Sequence, residues 1–508
     1  MKTISVTRAI GLMVLLPLSG YCNHPNIVYI LADDMGLGDL SCYNPEAKVR
    51  TPEIDRLASG GMRFTDAHTS ASVCTPTRYG LLTGRYSWRS RLKDRVLGGY
   101  SMSLIEPGRD TVASLLKRHG YRTAMVGKWH LGISWKLKDG TWRESFGREI
   151  EAVEPLIDFA APFKAGPCDF GFDYYFGINA SLDFPPYTWL ENDRAVTVPS
   201  EQRPFQGGKK AGQPQLMMRA GLQVPGFEPD QILLGLTRKA VEVIENADTH
   251  SPFFLYLPLT APHTPVVPRQ SFKGTSECGI YGDFIHEIDW TVGQVVAALK
   301  AKGILDNTLI VFTADNGASK ASFPEEMEEE FRHNPSLHFR GRKASLWEGG
   351  HRVPFIVHWP DSVDAGSLSK SLCNLNDFYA TCAALVGEPI QPEAAVDSFN
   401  MMPLLVGRPG EYVRNGMVHR DFRGWLAFRD GDWKLLMGRG PENQSLYNLA
   451  EDPSEKRNLL KENPTKVQEL LEKLNRIILE GRSTPGPMQD NDGAQWWEQL
   501  YWMQPDAA

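Results

Sequence analysis

The sequence predicts an α/β protein: a large, mostly parallel β-sheet sandwiched by helices, with a smaller C-terminal α+β subdomain built on an antiparallel sheet. Three observations predict it. Apolar, β-branched runs of strand length alternate with helical segments up to about residue 400, the pattern of a sheet covered on both faces. Four of these runs end in polar residues, and open α/β sheets gather ligands at the carboxyl ends of their strands. Beyond that point short runs separated by tight turns replace the alternation. The 508 residues exceed one simple core. The expected division is an export signal over 1–22, a main domain over 23–400 and a subdomain over 401–508.

The elements follow in order. "MKTISVTRAIGLMVLLPLSGYC" has basic Lys2 and Arg8, an apolar run from Ile10 to Leu18, and small Ser19 and Gly20. That is the form of an export signal, too short to span a bilayer, and no later segment spans one; a periplasmic or secreted protein is expected. Bulky Tyr21 before Cys22 argues against a lipid anchor. "NIVYILADD" (26–34) is a buried strand that ends in Asp33 and Asp34. In "TPEIDRLASGG" (51–61) Thr51 caps a helix, Pro52 takes its first position, and Gly60-Gly61 stops it. "TVASLLKRHGYRTAMVGKWHLG" (111–132) is a helix and a strand, with Lys128 and His130 at the strand end. "PFFLYLPLTAPHTP" (252–265) is a strand with His263 just beyond it. A helix over "YGDFIHEIDWTVGQVVAALKAKG" leads to the strand "TLIVFTADNG", which ends in Asp315 and Asn316, and "VPFIVHWP" adds one more strand. In the subdomain, "GWLAFRDGDWKLLM" and "SLYNLAEDPSEKRNLL" predict an antiparallel meander with a turn at Asp430-Gly431. The helix "NPTKVQELLEKLNRIILEG" and a wrapping tail follow. The Gly/Pro-rich segments 140–168 and 196–228 are long loops of the kind that shape substrate sites.

Composition narrows the function. Net charge is −7 with no run of Lys or Arg, which excludes a nucleic-acid partner; an anion must be held by a local basic cluster. Seven cysteines in a chain of this length do not make a disulfide scaffold. An unpaired cysteine in an exported protein calls for an explanation, and Cys74 stands at the head of a helix, in "SVCTPTRYGLLTGRYSWR". Asp33, Asp34, Asp315 and Asn316, brought together by adjacent strand ends, would form an all-oxygen set suited to a hard divalent cation.

"CTPTR" (74–78) carries Cys-x-Pro-x-Arg, and "GRYSW", "GKWHLG", "APHTP", "TADNG" and "KASLWEGGHRVP" follow in order. The set resembles the type I sulfatases, members of the alkaline-phosphatase-like superfamily, from about residue 24 to the C-terminal "WKLL" and "LYNLAEDPSE" runs. The resemblance implies that a dedicated maturation enzyme converts Cys74 to formylglycine. One hydroxyl of the aldehyde hydrate would attack sulfur, and the other would expel sulfate, splitting one hard step into two. It implies a single divalent cation, Ca2+ or alternatively Mg2+, held by Asp33, Asp34, Asp315 and Asn316 and touching residue 74. Asp315 would take the nucleophile's proton. Arg78, Lys128 and Lys343 would surround the sulfate. His263 would be the general acid, assisted by Lys343, and His130 the base that frees sulfate. Residues two apart share a face of an extended chain, so Lys128 and His130 are expected to point together while Trp129 packs.

The substrate is less marked. In "GINASLDFPPYTWLENDR" (177–194), Asp183, Tyr187 and Trp189 suit a rim that stacks on and hydrogen-bonds a sugar. "WRSRLKDRVLGGYS" (88–101) resembles bacterial members that act on sulfated galactose or N-acetylgalactosamine, which implies exo-acting removal of a sugar 6-sulfate. Two other readings share the blocks: a phosphate or phosphonate monoester hydrolase of the same superfamily, and a non-catalytic sulfoglycan-binding homologue. The other histidines, among them His68 and His419, receive no role; His351 and Arg352 are expected to support the sheet edge.

Overall fold

The computed structural model describes residues 24–208 and 210–503, so the export signal expected over 1–22 lies outside the described residues. Ten strands form the main sheet: β1 (Asn26–Asp33), β2 (Met62–Phe64), β3 (Arg122–Lys128), β4 (Tyr174–Ile178), β5 (Leu190–Glu191), β6 (Arg194–Ala195), β7 (Phe253–Pro262), β8 (Thr308–Ala314), β9 (Phe355–His358) and β10 (Ser367–Ser369). Their spatial order is β10-β2-β9-β8-β1-β7-β3-β4-β5-β6. The centre, β8-β1-β7-β3-β4, is parallel throughout. Every residue of β1, β7 and β8 is buried, as expected for strands covered on both faces.

Two groups of helices supply that cover. Helices α1 (Pro52–Ser59), α4 (Ile232–Glu245) and α5 (Gly279–Ala301) pack together, and so do α2 (Cys74–Thr83), α3 (Val112–Arg118) and α6 (Phe378–Val386). The strand expected in "VPFIVHWP" is β9, which runs antiparallel to β8 and β2. Thr51 does not cap α1 with its side chain. The N–H groups of Glu53 and Ile54, which have no partner within the helix, instead donate to the Asp289 carboxylate of α5, at 3.0 and 2.9 Å.

The C-terminal sheet is an antiparallel meander: β11 (Gly416–Arg420), β12 (Leu426–Asp430), β13 (Trp433–Met437) and β14 (Gln444–Asn448). Gly431, at φ 57°, turns β12 into β13. Leu470, Leu474 and Ile478 of α7 (Pro464–Leu479) pack on this sheet together with Tyr86 and Trp88, which follow α2, so the two units share one core. The tail returns to the same place: Asp492 pairs with Arg85 at 2.8 Å, and Asn491 accepts from Arg89 at 3.1 Å.

A buried polar seam also joins them. Lys434 of β13 pairs with Glu348 and Glu455, both at 2.9 Å, and its ammonium lies 3.0 Å from Nε2 of His351. His351 and His68 share a hydrogen bond between their Nδ1 atoms at 3.0 Å, and His68 Nε2 bonds Asp66 at 2.8 Å. The His419 ring of β11 stacks on His351, with centroids 3.7 Å apart. Burial holds His68 below the ordinary histidine range, and His351 and His419 well below it. Arg352 binds Glu348 and Asp66 in the same seam. The six described cysteines are unpaired. No helix among the described residues is long and apolar enough to cross a membrane.

Candidate active site

Four adjacent strands, β8-β1-β7-β3, deliver the polar residues to one edge. An irregularity in register between Leu31 and Asp33 turns the end of β1, and Asp34 follows with φ 68°. A left-handed conformation is costly for a residue with a side chain, and such positions cluster at functional sites. The Asp34 N–H donates to Asp315 Oδ1 at 3.1 Å, and the Asn316 amide donates to Asp34 Oδ1 at 2.7 Å. All four residues are buried.

Three cations answer the three carboxylates. Arg78, one turn into α2, donates to Asp315 Oδ2 from Nε at 3.0 Å and Nη2 at 2.7 Å, and to the Lys128 carbonyl at 2.8 Å. Lys128 bonds Asp33 at 2.6 Å and Ser181 Oγ at 2.5 Å. Lys343 bonds both oxygens of Asp34, at 2.6 and 2.7 Å. Burial alone would raise the Asp33 pKa, but Lys128, His263 and Arg78 more than offset it and hold it below the usual range. Burial and the neighbouring Asp33 push Asp315 up. Lys343 is held above its ordinary value because Asp34 outweighs the cost of burial.

Cys74 is the first residue of α2, in the midst of this set. Pro76 fits because the first turn of a helix needs no N–H there. The loop before it is pinned on several sides: the Ser72 N–H donates to Arg420 O at 2.9 Å, the Ala344 N–H to Ser72 O at 2.8 Å, and Thr77 Oγ1 to Ala71 O at 2.9 Å. Gly84 ends α2 at φ 64°, with Ala395 packed where a side chain would stand. Cys74 is 2% exposed, and burial pushes its thiol above the ordinary value despite Lys128 and Lys343. As a thiol it stays neutral near pH 7 and is a poor nucleophile.

The two histidines differ. His130, at φ 57°, reaches the site through a left-handed turn after β3 and not by strand alternation, while Trp129 packs away as expected, on Phe170. Its Nε2–H donates to Leu97 O at 2.9 Å, which leaves the buried Nδ1 without a partner. Burial, then Lys128 and Arg78, keep this imidazole well below the usual range, hence neutral. His263 donates from Nδ1 to Thr264 O at 2.5 Å, and its Nε2 lies 3.7 Å from Asp34.

The donor set fits a hard cation. Asp33 Oδ1 and Asn316 Oδ1 are buried oxygens with no hydrogen-bond donor, and such groups call for a partner. Ligand atoms of Asp33, Asp34 and His263 lie within 4.8 Å of one another. The all-oxygen character of the acid set suits calcium or magnesium.

The Sulfatase family profile matches residues 25–388. The chain belongs to the sulfatase family. It is 34% identical to an N-acetylgalactosamine-6-O-sulfatase of Bacteroides thetaiotaomicron, over 89% of this chain and 93% of that protein. Human arylsulfatase A is 32% identical, over 94% of this chain and 90% of its own. A solved Bacteroides thetaiotaomicron structure, described under the metabolism of multiple glycosaminoglycans, superimposes with a TM-score of 0.77 at 32% identity, covering 90% of this chain and 99% of that one. This sulfatase is a sulfuric ester hydrolase.

Around its centre, the expected sugar rim differs in part. Tyr187 is buried, and its hydroxyl is taken by the carbonyls of Asp183 and Arg219 at 3.2 and 2.8 Å. Trp189 stacks on Phe176, with centroids 4.8 Å apart, and packs over Gly235 of α4. Tyr187 is committed to packing and Trp189 stacks on the body while staying half-buried, because an aromatic-rich loop here folds back. Asp183 is different: Oδ2 pairs with Arg219, while the buried Oδ1 has no donor. Ser181, which bonds Lys128, and Arg219, which pairs with Asp183, carry no mark in the sequence. They are lone polar residues in loops, with no spacing to mark them.

Proposed function

We propose that this sulfatase removes a sulfate ester from a carbohydrate, with residue 74 as the nucleophile after conversion of its cysteine to formylglycine by a maturation enzyme. The observation that carries the reading is the convergence on Cys74: a buried thiol with a raised pKa, useless as a thiol, at a helix start amid Arg78, Lys128 and Lys343. Asp33, Asp34, Asp315 and Asn316 would hold one divalent cation, calcium in this reading. When bound, the cation would offset charge on the transferred SO3 group. With all six side chains ionised, three carboxylates and three cations already balance, so a bound cation leaves a positive site suited to an anionic ester.

The chain's own groups divide the remaining work. Arg78 and Lys128 are fixed in place by Asp315 and Asp33 and present preorganised charge to the sulfate. Asp315 accepts the nucleophile's proton. His263, its Nδ1–H committed to Thr264, offers Nε2 as the general acid toward the leaving oxygen, assisted by Lys343. His130, its Nε2–H committed to Leu97, offers a bare Nδ1 as the base that completes turnover.

The 88–101 run and the relative named for N-acetylgalactosamine 6-O-sulfate support an exo-acting enzyme on 6-sulfated N-acetylgalactosamine or galactose. The free Oδ1 of Asp183 supports a sugar hydroxyl as its donor. The 1–22 segment supports export to the periplasm or beyond. The test is a panel of singly sulfated monosaccharides, run beside the sulfate and phosphate esters of one chromogenic alcohol. Release of sulfate from the 6-sulfated sugars is expected. Preference for the phosphate ester, or no turnover of any sulfated sugar, would sink the reading.

A further inference from the structure

Beside the catalytic loop lies a cavity of about 550 Å³ whose lining is rich in guanidinium groups: Arg95, Arg148, Arg423 and Arg439, against the carboxylates of Asp94 and Glu498. Asp94 is 3.6 Å from Arg95. Among the described residues, Arg148, Arg423 and Arg439 form no ion pair, and Arg148 rests on the Phe184 ring at 5.2 Å. Three unpaired guanidinium groups around one hollow repel one another, an arrangement that an oxyanion would relieve. Burial, with Arg219 and Arg95 nearby, holds the Arg148 guanidinium below its ordinary value.

The cavity adjoins the reacting centre. The Arg95 N–H donates to Phe422 O at 2.6 Å, and Arg95 O accepts from Arg420 at 2.6 Å, so both walls are tied together. Two residues on, at most about 7 Å of chain, the Leu97 N–H donates to Thr75 Oγ1 at 3.2 Å and Leu97 O accepts from His130. Arg420 O in turn accepts from Ser72, two residues before Cys74. Phe184, under Arg148, lies 6.2 Å from the His130 ring. The Arg423 and Arg439 wall comes from the C-terminal unit, in the loops after β11 and β13.

We propose that this cavity is a subsite for a second anionic group of the substrate, a carboxylate or sulfate on the sugar next to the one that loses its sulfate. Guanidinium forks match such oxyanions in two-point hydrogen bonds. The proposal rests on the sulfated-carbohydrate reading above and narrows it: the substrate is an acidic oligosaccharide, and the C-terminal unit reads its second charge.

The test uses mature full-length protein and four probes: N-acetylgalactosamine 6-sulfate alone, and the same sugar joined to glucuronic acid, to glucose, and to a sulfated glucose. The expected result is a kcat/KM at least about tenfold higher for one or both acidic disaccharides than for the neutral one, carried in KM and shrinking as salt rises. The two acidic probes show whether carboxylate or sulfate is preferred. Arg423→Ala with Arg439→Ala should narrow the ratio to below about twofold, with a thermal midpoint measured beside it to check folding. Independently of any variant, calorimetry should detect the desulfated glucuronate disaccharide binding the native protein and fail to detect its glucose counterpart. Equal rates on all disaccharides, a ratio that survives the double substitution in folded protein, or equal binding of the two desulfated probes would overturn the subsite while leaving the sulfatase reading intact. No turnover of any sulfated sugar would overturn both.

Discussion

At the scale of single residues, the site is defined by atoms that lack partners. Cys74 is a thiol that cannot ionise usefully where it stands, Asp33 Oδ1 and Asn316 Oδ1 are oxygens without donors, and His130 Nδ1 is a nitrogen without a proton to give. Cys74→Ala should cut turnover of every sulfated substrate by at least about 10³, the scale lost with a covalent nucleophile. Mass spectrometry of the peptide holding residue 74 should report an aldehyde; a bare thiol in protein from its native host would contradict the role. His130→Gln should lower kcat by about 10² to 10⁴ with little change in KM, as loss of a base does; an unchanged kcat would assign the imidazole to packing. The residues legible in the sequence were those in short fixed runs, "CTPTR", "GKWH" and "TADNG", where spacing carries information. Tyr187 and Trp189 were not legible. A loop aromatic has the same sequence signature whether it meets a sugar or Phe176.

At the scale of elements, alternation of apolar runs and helical periods located the central strands and α5, and polar strand ends marked the candidate site where they converge. Direction was not legible: "VPFIVHWP" is equally apolar either way along, and only its pairing with β8 and β2 shows that β9 runs backward. Long-range capping was hidden as well, since Asp289 lies more than 200 residues from the helix whose N–H groups it receives. Asp289→Ala should cost about 1–2 kcal/mol of stability, as lost helix caps do, read from denaturant unfolding; no change would mean that α1 finds another acceptor. Because β8 and β1 end together on the unpaired oxygens of Asn316 and Asp33, a chelator should lower both activity and the thermal midpoint, and calcium should restore them. Failure of either to respond would deny the strand ends an ion.

At the scale of the whole molecule, the two units are bound by a buried seam of charges. Lys434→Met would leave buried Glu455 without its cation and Glu348 with Arg352 and Arg429 alone, and should cost about 3–5 kcal/mol, the range found when one partner of a buried pair is removed. Chemical denaturation measures it; a loss below about 1 kcal/mol would show the seam to be dispensable. The same seam sets a pH response. His68, His351 and His419 are held below the ordinary value of about 6.5, facing Lys434, Arg429 and Arg352 as well as Glu348 and Asp66. The unfolded chain therefore takes up protons near that pH while the folded one does not, so this contribution to stability is present above it and lost as pH falls. The thermal midpoint should drop between about pH 7.5 and 5.5, and His419→Gln should flatten the slope; a midpoint insensitive to pH in wild type would refute the assignment. Finally, the wall behind Cys74 is completed by Arg420, whose carbonyl meets Ser72 from 348 positions downstream. During synthesis most of the chain emerges before that wall can close. A maturation enzyme acting on Cys74, as proposed above, would therefore have a long interval in which to reach it, and the arrival of β11 would end it.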